Sequence, residues 1–131
     1  MTSKQLIEYA EKAREKAYCP YSGFAVGAAL VTKSGKVYTG CNVENAGFTP
    51  TCCAERVAIF KAVSEGEREL EAIAVVGGRV LGDTSAPCYP CGVCRQVLSE
   101  FADGQFKVIF ADGSEKTVDE LLPFSFALDK N

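Results

Sequence analysis

The chain predicts an α/β domain, and three observations carry that expectation. Apolar residues recur at helical spacing in some segments and as short strand-length runs in others. The two kinds of segment alternate along the chain, which argues a sheet with helices packed on it. At 131 residues, with no repeat, linker or low-complexity tract, residues 1–131 are expected to form a single domain with one core.

The elements follow in order. Leu6, Ala10, Ala13 and Ala17 recur at helical spacing, Thr2 with Gln5 suits a capping box, and Pro20 and Gly23 end the helix. Lys12, Arg14 and Lys16 read as its solvated face. Phe24 to Val31 is a continuous small-apolar run suited to a buried strand. Ser34-Gly35 turns the chain into a second strand from Lys36 to about Glu44. Alternation there puts Val37, Thr39, Cys41 and Val43 on one face and Tyr38, Gly40, Asn42 and Glu44 on the other. Asn42 and Glu44 are therefore expected side by side as a polar pair. A loop from Asn45 to Pro50 leads to a helix starting near Thr51 and ending by Gly66, with Ala54, Val57, Ala58 and Ala62 as its buried stripe. Ala72 to Val76 reads as a third strand and Gly77 to Pro90 as a loop. A further helix starts near Cys91, Phe106 to Phe110 forms a fourth strand, Asp112-Gly113 a turn, and Thr117 with Glu120 caps a short last helix.

Composition narrows the function classes. No stretch approaches the roughly 18 apolar residues of a membrane span, and the start lacks a signal-peptide core. A cytoplasmic protein with no membrane partner is expected. The net charge of -3 gives no electrostatic reason to expect nucleic acid. Seven cysteines cannot all pair, and without a secretory signal they point to metal binding or catalysis before a disulfide framework. Histidine is absent, which removes Ser-His-Asp and Cys-His nucleophiles and every histidine-bearing metal site.

The informative motif is Cys53-Ala54-Glu55 with Pro90-Cys91-Gly92-Val93-Cys94. Three thiolates at this spacing suit a zinc ion with one tetrahedral position left open, the mark of a catalytic site. The pattern is the described signature of zinc-dependent nucleobase deaminases. Cys53 and the Cys91/Cys94 pair are each expected at the first turn of a helix, where the positive end of the helix dipole favours thiolates. Glu55, two residues after the first ligand, is placed to move protons without binding metal. Arg56 and Arg95 are expected to offset the three thiolate charges by donating to sulfur. Two alternatives stay open. Pro87-Cys88-Tyr89-Pro90-Cys91 also fits P-C-x-x-C, although the later register puts both ligands at the helix start. A structural zinc ribbon would use Cys88, Cys91 and Cys94 with Cys52 or Cys53, and it would leave Glu55, Asn42 and Glu44 unexplained.

Six ordered blocks extend the pattern over nearly the whole chain. They are Tyr18-Cys19-Pro20-Tyr21-Ser22, Phe24-Ala25-Val26-Gly27-Ala28-Ala29, Gly40-Cys41-Asn42-Val43-Glu44-Asn45, Cys53-Ala54-Glu55-Arg56, Pro90-Cys91-Gly92-Val93-Cys94-Arg95-Gln96 and Glu120-Leu121-Leu122-Pro123. On these the chain resembles the short, homotetrameric cytidine deaminases that hold zinc on three cysteines. The resemblance implies a cytidine-deaminase-like three-layer α/β/α domain with a mixed central sheet. It implies Zn2+, one per subunit, on Cys53, Cys91 and Cys94, with Glu55 as proton shuttle in the deamination of cytidine and deoxycytidine for pyrimidine salvage. It also implies that Asn42 and Glu44 bind the ribose, that Phe24 stacks on the pyrimidine, and that the Ala54 backbone bonds the base edge. Ala46 to Phe48 and Phe126 would reach a neighbouring subunit's site. Phe48 stands where the family often has Tyr, and Pro50 departs in the same loop, which bears on affinity and not on reaction class. The competing readings are another aminopyrimidine deaminase of the blasticidin type, not expected to keep Asn42-Val43-Glu44-Asn45, and a non-catalytic zinc module with a fourth protein ligand. A polynucleotide deaminase is disfavoured by the acidic balance and small size.

Overall fold

The computed structural model describes residues 1–130. In chain order the elements are α1 (Ser3–Arg14), β1 (Phe24–Thr32), β2 (Val37–Cys41), α2 (Ala54–Ser64), β3 (Leu70–Arg79), α3 (Gly92–Phe101), β4 (Lys107–Phe110), β5 (Glu115–Thr117) and α4 (Val118–Leu121). The strands form one sheet in the order β2-β1-β3-β4-β5. Among the described strands only β3 and β4 pair in parallel, and α3 makes the crossover between them; the other strand pairs are antiparallel.

Alternation in β1 divides the core into two layers. Ala28 and Leu30 face α2, where they meet Ala54, Ala58 and Ile59 together with Val75, Leu98, Phe106 and Phe110. Ala29 and Val31 face the opposite way, onto Leu6 and Ala10 of α1 with Ala74, Val76 and Ile109. The result is α1 on one face of a mixed sheet and α2, α3 and α4 on the other, which is the expected three-layer α/β/α arrangement. Two glycines set how closely the helices approach. A Cβ on Gly27 would lie 2.0 Å from the Ala10 carbonyl oxygen, and one on Gly40 would lie 2.5 Å from that of Ala54. Both helices sit directly on the sheet backbone, on opposite faces of adjacent strands.

Several boundaries differ from the sequence expectation. The first helix stops at Arg14, three residues before Ala17. Arg14 is also not a solvated residue. Its Nε donates to the Ala25 carbonyl at 2.8 Å, and its Nη2 donates to those of Gly78 and Arg79 at 2.9 and 2.7 Å. The helix expected from Thr51 begins at Ala54 with Cys53 as N-cap. The third strand runs through Gly77 and Gly78 to Arg79, because antiparallel pairing with β1 continues to Phe24↔Arg79. The short β5 was not foreseen. Both capping boxes form, Thr2 with Gln5 and Thr117 with Glu120.

Candidate active site

The three predicted ligands converge. Cys53 is the N-cap of α2, Cys91 the N-cap of α3, and Cys94 lies in the first turn of α3. Neither N-cap cysteine caps a backbone N–H of its helix through its side chain, so the sulfurs are available to a ligand. Their sulfur atoms all lie within 4.8 Å of one another, with Cys53–Cys91 at 3.7 Å and Cys91–Cys94 at 3.5 Å. Ligands about 2.3 Å from a tetrahedral zinc stand about 3.8 Å apart, so the triangle fits that ion. The neighbouring Cys94 thiol first, then the Arg56 guanidinium, hold Cys53 down to about 5 against the upward push of burial. Cys94 is pushed up, by its nearness to Cys53 and by burial.

Arg56 lies three residues after Cys53, on the same side of the helix, and its Nη2 donates to Cys53 Sγ at 3.4 Å. Among the described residues it forms no ion pair with a carboxylate, and its buried Nε has no partner. Its charge is thus directed at the sulfurs, as a site carrying excess thiolate charge requires. Arg95 does not share this role. Its guanidinium donates to the carbonyls of Pro90 and Leu121, both at 2.8 Å, and so ties α3 to the end of α4. Cys88 is not part of the triangle; burial pushes its thiol up to about 11. The later register of the cysteine motif is the one the fold brings together.

Beside the sulfurs is a cavity of about 200 Å³ lined by Val26, Asn42, Glu44, Thr51, Cys52, Cys53, Ala54, Glu55, Cys88, Tyr89 and Cys91. Glu55, in the first turn of α2, is only 4% exposed, and burial, with a smaller push from the nearby Cys53, raises its carboxyl to about 7. A group titrating there can both take and give a proton at neutral pH. Asn42 and Glu44 reach the same cavity, though not from a strand. β2 ends at Cys41, and single bridges from Val43 to Tyr18 and Cys52 carry the extended chain onward. Asn42 Oδ1 accepts from the Val26 N–H at 2.9 Å, and its Nδ2 donates to the Phe24 carbonyl at 2.8 Å, leaving one amide hydrogen spare. Glu44 accepts from the backbone N–H groups of Tyr21 and Ser22 at 3.0 and 3.1 Å and from the Ser22 hydroxyl. The Ser22 hydroxyl foremost, with these N–H groups, holds the carboxyl below its usual value.

The remaining expected residues lie outside this cavity. Phe24 lines an adjoining groove with Gly77 and Gly78, and Cys88 borders both spaces. Ala46, Phe48 and Phe126 project away, with Phe48 97% and Phe126 70% exposed in the single chain. Sequence reasoning missed Tyr89, which stands edge-on to Phe110 at a centroid distance of 4.9 Å and forms part of the wall. Its signal was its place between Pro87 and Pro90, in the loop leading directly to the ligands.

Residues 1–111 match the family model described as the cytidine and deoxycytidylate deaminase zinc-binding region. The chain is 50% identical to a cytidine deaminase of Halalkalibacterium halodurans, over 98% of this chain and 97% of that protein. It is 49% identical to one of Sporosarcina psychrophila, over 97% and 93%. The fold matches a crystal structure of cytidine deaminase from Burkholderia pseudomallei with a TM-score of 0.87 and 49% identity, covering 96% of this chain and all of that one.

Proposed function

Because this chain belongs to the family of the cytidine and deoxycytidylate deaminase zinc-binding region, we propose that it hydrolyses cytidine and deoxycytidine to uridine and deoxyuridine, releasing ammonia in pyrimidine salvage. The observation that carries this reading is a triangle of close sulfurs opening on a cavity that also holds a buried carboxyl, Glu55. Cys53, Cys91 and Cys94 hold the Zn2+, one per subunit. Held there, zinc would acidify a water and so supply a nucleophile at neutral pH.

Glu55 performs the proton transfers. Its carboxylate takes a proton from the attacking water and delivers it to the ring nitrogen beside the amino-bearing carbon. It then carries the second proton to the exocyclic amine, the carbon–nitrogen bond breaks, and ammonia leaves. Burial of Glu55 keeps both protonation states within reach during this cycle. Arg56 lowers the electrostatic cost of three thiolates on one ion.

The nucleoside is held by the rest of the cavity. The spare Asn42 amide hydrogen and the Glu44 carboxylate bind the ribose. Phe24, 39% exposed on the adjoining groove, stacks on the pyrimidine. Ala54 supplies a first-turn N–H, one of the groups a helix leaves unpaired, to the base edge. The Ala46 to Phe48 loop and Phe126 complete the site of a neighbouring subunit in a homotetramer, a role supported by their exposure in the single chain. Residues 1–131 act as one domain. Seven free cysteines support a cytoplasmic setting, and no described helix is long and apolar enough to cross a membrane.

The direct test is the ultraviolet spectrum of cytidine incubated with zinc-replete protein. Conversion to the uridine spectrum, abolished by prior chelation and restored by zinc, is the expected result. An unchanged spectrum with zinc bound would overturn the substrate assignment.

A further inference from the structure

Resting on the proposed ribose contact of Glu44, we infer that Ser22 is a positioning residue for nucleoside binding, whose hydroxyl fixes the Glu44 carboxylate and ties it to the backbone bearing Phe24. Ser22 lies in the connection between α1 and β1, 22 residues before Glu44 in sequence. Its Oγ is in hydrogen-bond contact with Glu44 Oε2, and the Phe24 N–H donates to the same Oγ at 3.0 Å. A serine hydroxyl carries one proton and an ionised carboxylate only accepts. The Phe24 carbonyl oxygen lies 3.4 Å from the same Oγ, but Glu44 Oε2 is far nearer and charged, so the proton points at Glu44 and an oxygen lone pair faces the Phe24 N–H. The direction of both bonds is fixed by chemistry.

A local serine turn explains the Phe24 N–H bond alone. It does not explain why the hydroxyl gives its only proton to a side chain so distant in sequence. Three donors from one short segment grip Glu44, with the N–H groups of Tyr21 and Ser22 on Oε1 and the hydroxyl on Oε2. Both acceptor positions of Oε1 are then filled, and Oε2 keeps one for a ligand. Rotation about the last side-chain bond of glutamate is otherwise broad. Without the hydroxyl, Oε2 is free to turn away from the sugar, while Oε1 stays on the backbone N–H pair. The lowered carboxyl pKa agrees with a grip of this kind. Phe24 is also held in β1 by pairing opposite Arg79, so loss of the hydroxyl bears on the sugar contact and not on the stacking ring.

The experiment measures KM and kcat for cytidine, with zinc content, in the wild type, Ser22→Ala, Ser22→Thr and Glu44→Gln. It adds the competitive affinity of 2′,3′-dideoxycytidine, whose sugar has no secondary hydroxyl. Loss of a hydrogen bond to a charged group predicts roughly a tenfold rise in cytidine KM for Ser22→Ala, with kcat within about twofold and full zinc. Ser22→Thr restores the wild-type KM, since it keeps the hydroxyl, and dideoxycytidine binds wild type and Ser22→Ala alike. Equal weakening toward both ligands would reduce Ser22 to a local structural support and overturn the inference. A raised KM in Glu44→Gln with none in Ser22→Ala would overturn it while sparing the ribose contact. An unchanged KM in Glu44→Gln would remove the ribose contact itself.

Discussion

At the scale of single residues, Glu55 combines a chemical need with a folding cost. Its carboxyl is raised by burial to about 7, above the unfolded value near 4.3. The folded state therefore binds more protons between those values. The stabilising protonated form is complete below the unfolded pKa and is lost as pH rises through the folded one. Metal-free Glu55→Gln should then be more stable than metal-free wild type at pH 8, by on the order of 4 kcal/mol, and nearly equal to it at pH 4. Denaturant titration at the two pH values reads this directly. The same variant, zinc-loaded, should lose at least about 100-fold in kcat while keeping its metal, as the loss of a general acid/base requires. Arg56→Gln should lower zinc affinity about 10- to 100-fold, measured by competition with a chromogenic chelator. Undiminished affinity would mean the guanidinium does not offset the thiolates. The sulfur triangle and the carboxyl beside it were legible in the sequence because their spacing is local and their chemistry scarce. The contrast between Arg56 and Arg95 was not, because the Leu121 carbonyl that captures Arg95 comes from 26 residues away.

Among the elements, the site depends on where two helices begin. The N-terminus of α2 rests on Gly40, where an added Cβ would meet the Ala54 carbonyl oxygen at 2.5 Å and the Ala58 nitrogen at 2.7 Å. Both are backbone atoms, so the helix itself must move. Gly40→Ala should cost about 2 kcal/mol of stability and also reduce kcat, since Cys53, Ala54 and Glu55 move with the helix. Thermal unfolding and steady-state rates on one preparation check both halves. Arg14→Met keeps much of the aliphatic stem but strips three carbonyls of their donor, and a loss of about 2 kcal/mol is expected by the same unfolding measurement. Periodicity revealed α1, β1, α2 and α3 but misread the end of β3. Gly77-Gly78 has the composition of a loop, yet these glycines allow Cys88 and Asp83 to pack closely over a continuing strand. β5 escaped notice because Glu115–Thr117 is short and mostly exposed, and its place is decided by pairing with β4.

For the whole molecule, the carboxylates of Glu44, Asp83, Asp103, Asp112 and Glu120 all titrate below their usual values. Their causes are Ser22, Ser85, Lys33, Ser114 and the Thr117 backbone N–H respectively. A depressed folded pKa contributes stability above the unfolded pKa, and that contribution fades as pH falls through the folded value. As pH falls below about 4, loss of these exposed contributions should lower the thermal midpoint modestly. An unchanged midpoint at pH 3 would contradict the shared direction of these shifts. The α/β class was legible from alternation of helix and strand, whereas the three-layer order was implied by the resemblance. The mixed sheet was implied by the resemblance and not by periodicity, because nothing local distinguishes the parallel β3–β4 pair from its antiparallel neighbours.

The two glycine seats have a further consequence, for how the sequence can drift. Gly27 and Gly40 lie on adjacent strands and hold helices against opposite faces, so the helix seats have least slack at the edge of the sheet beside the cavity. Toward β3 and β4 the layers are filled instead by Val75, Val108, Phe106 and Phe110, side chains that exchange volume with their neighbours. Tolerance to change is therefore lopsided. Relatives can re-sort the bulky end while keeping the glycine edge, and a library randomised at both ends should recover functional clones mainly from the bulky one.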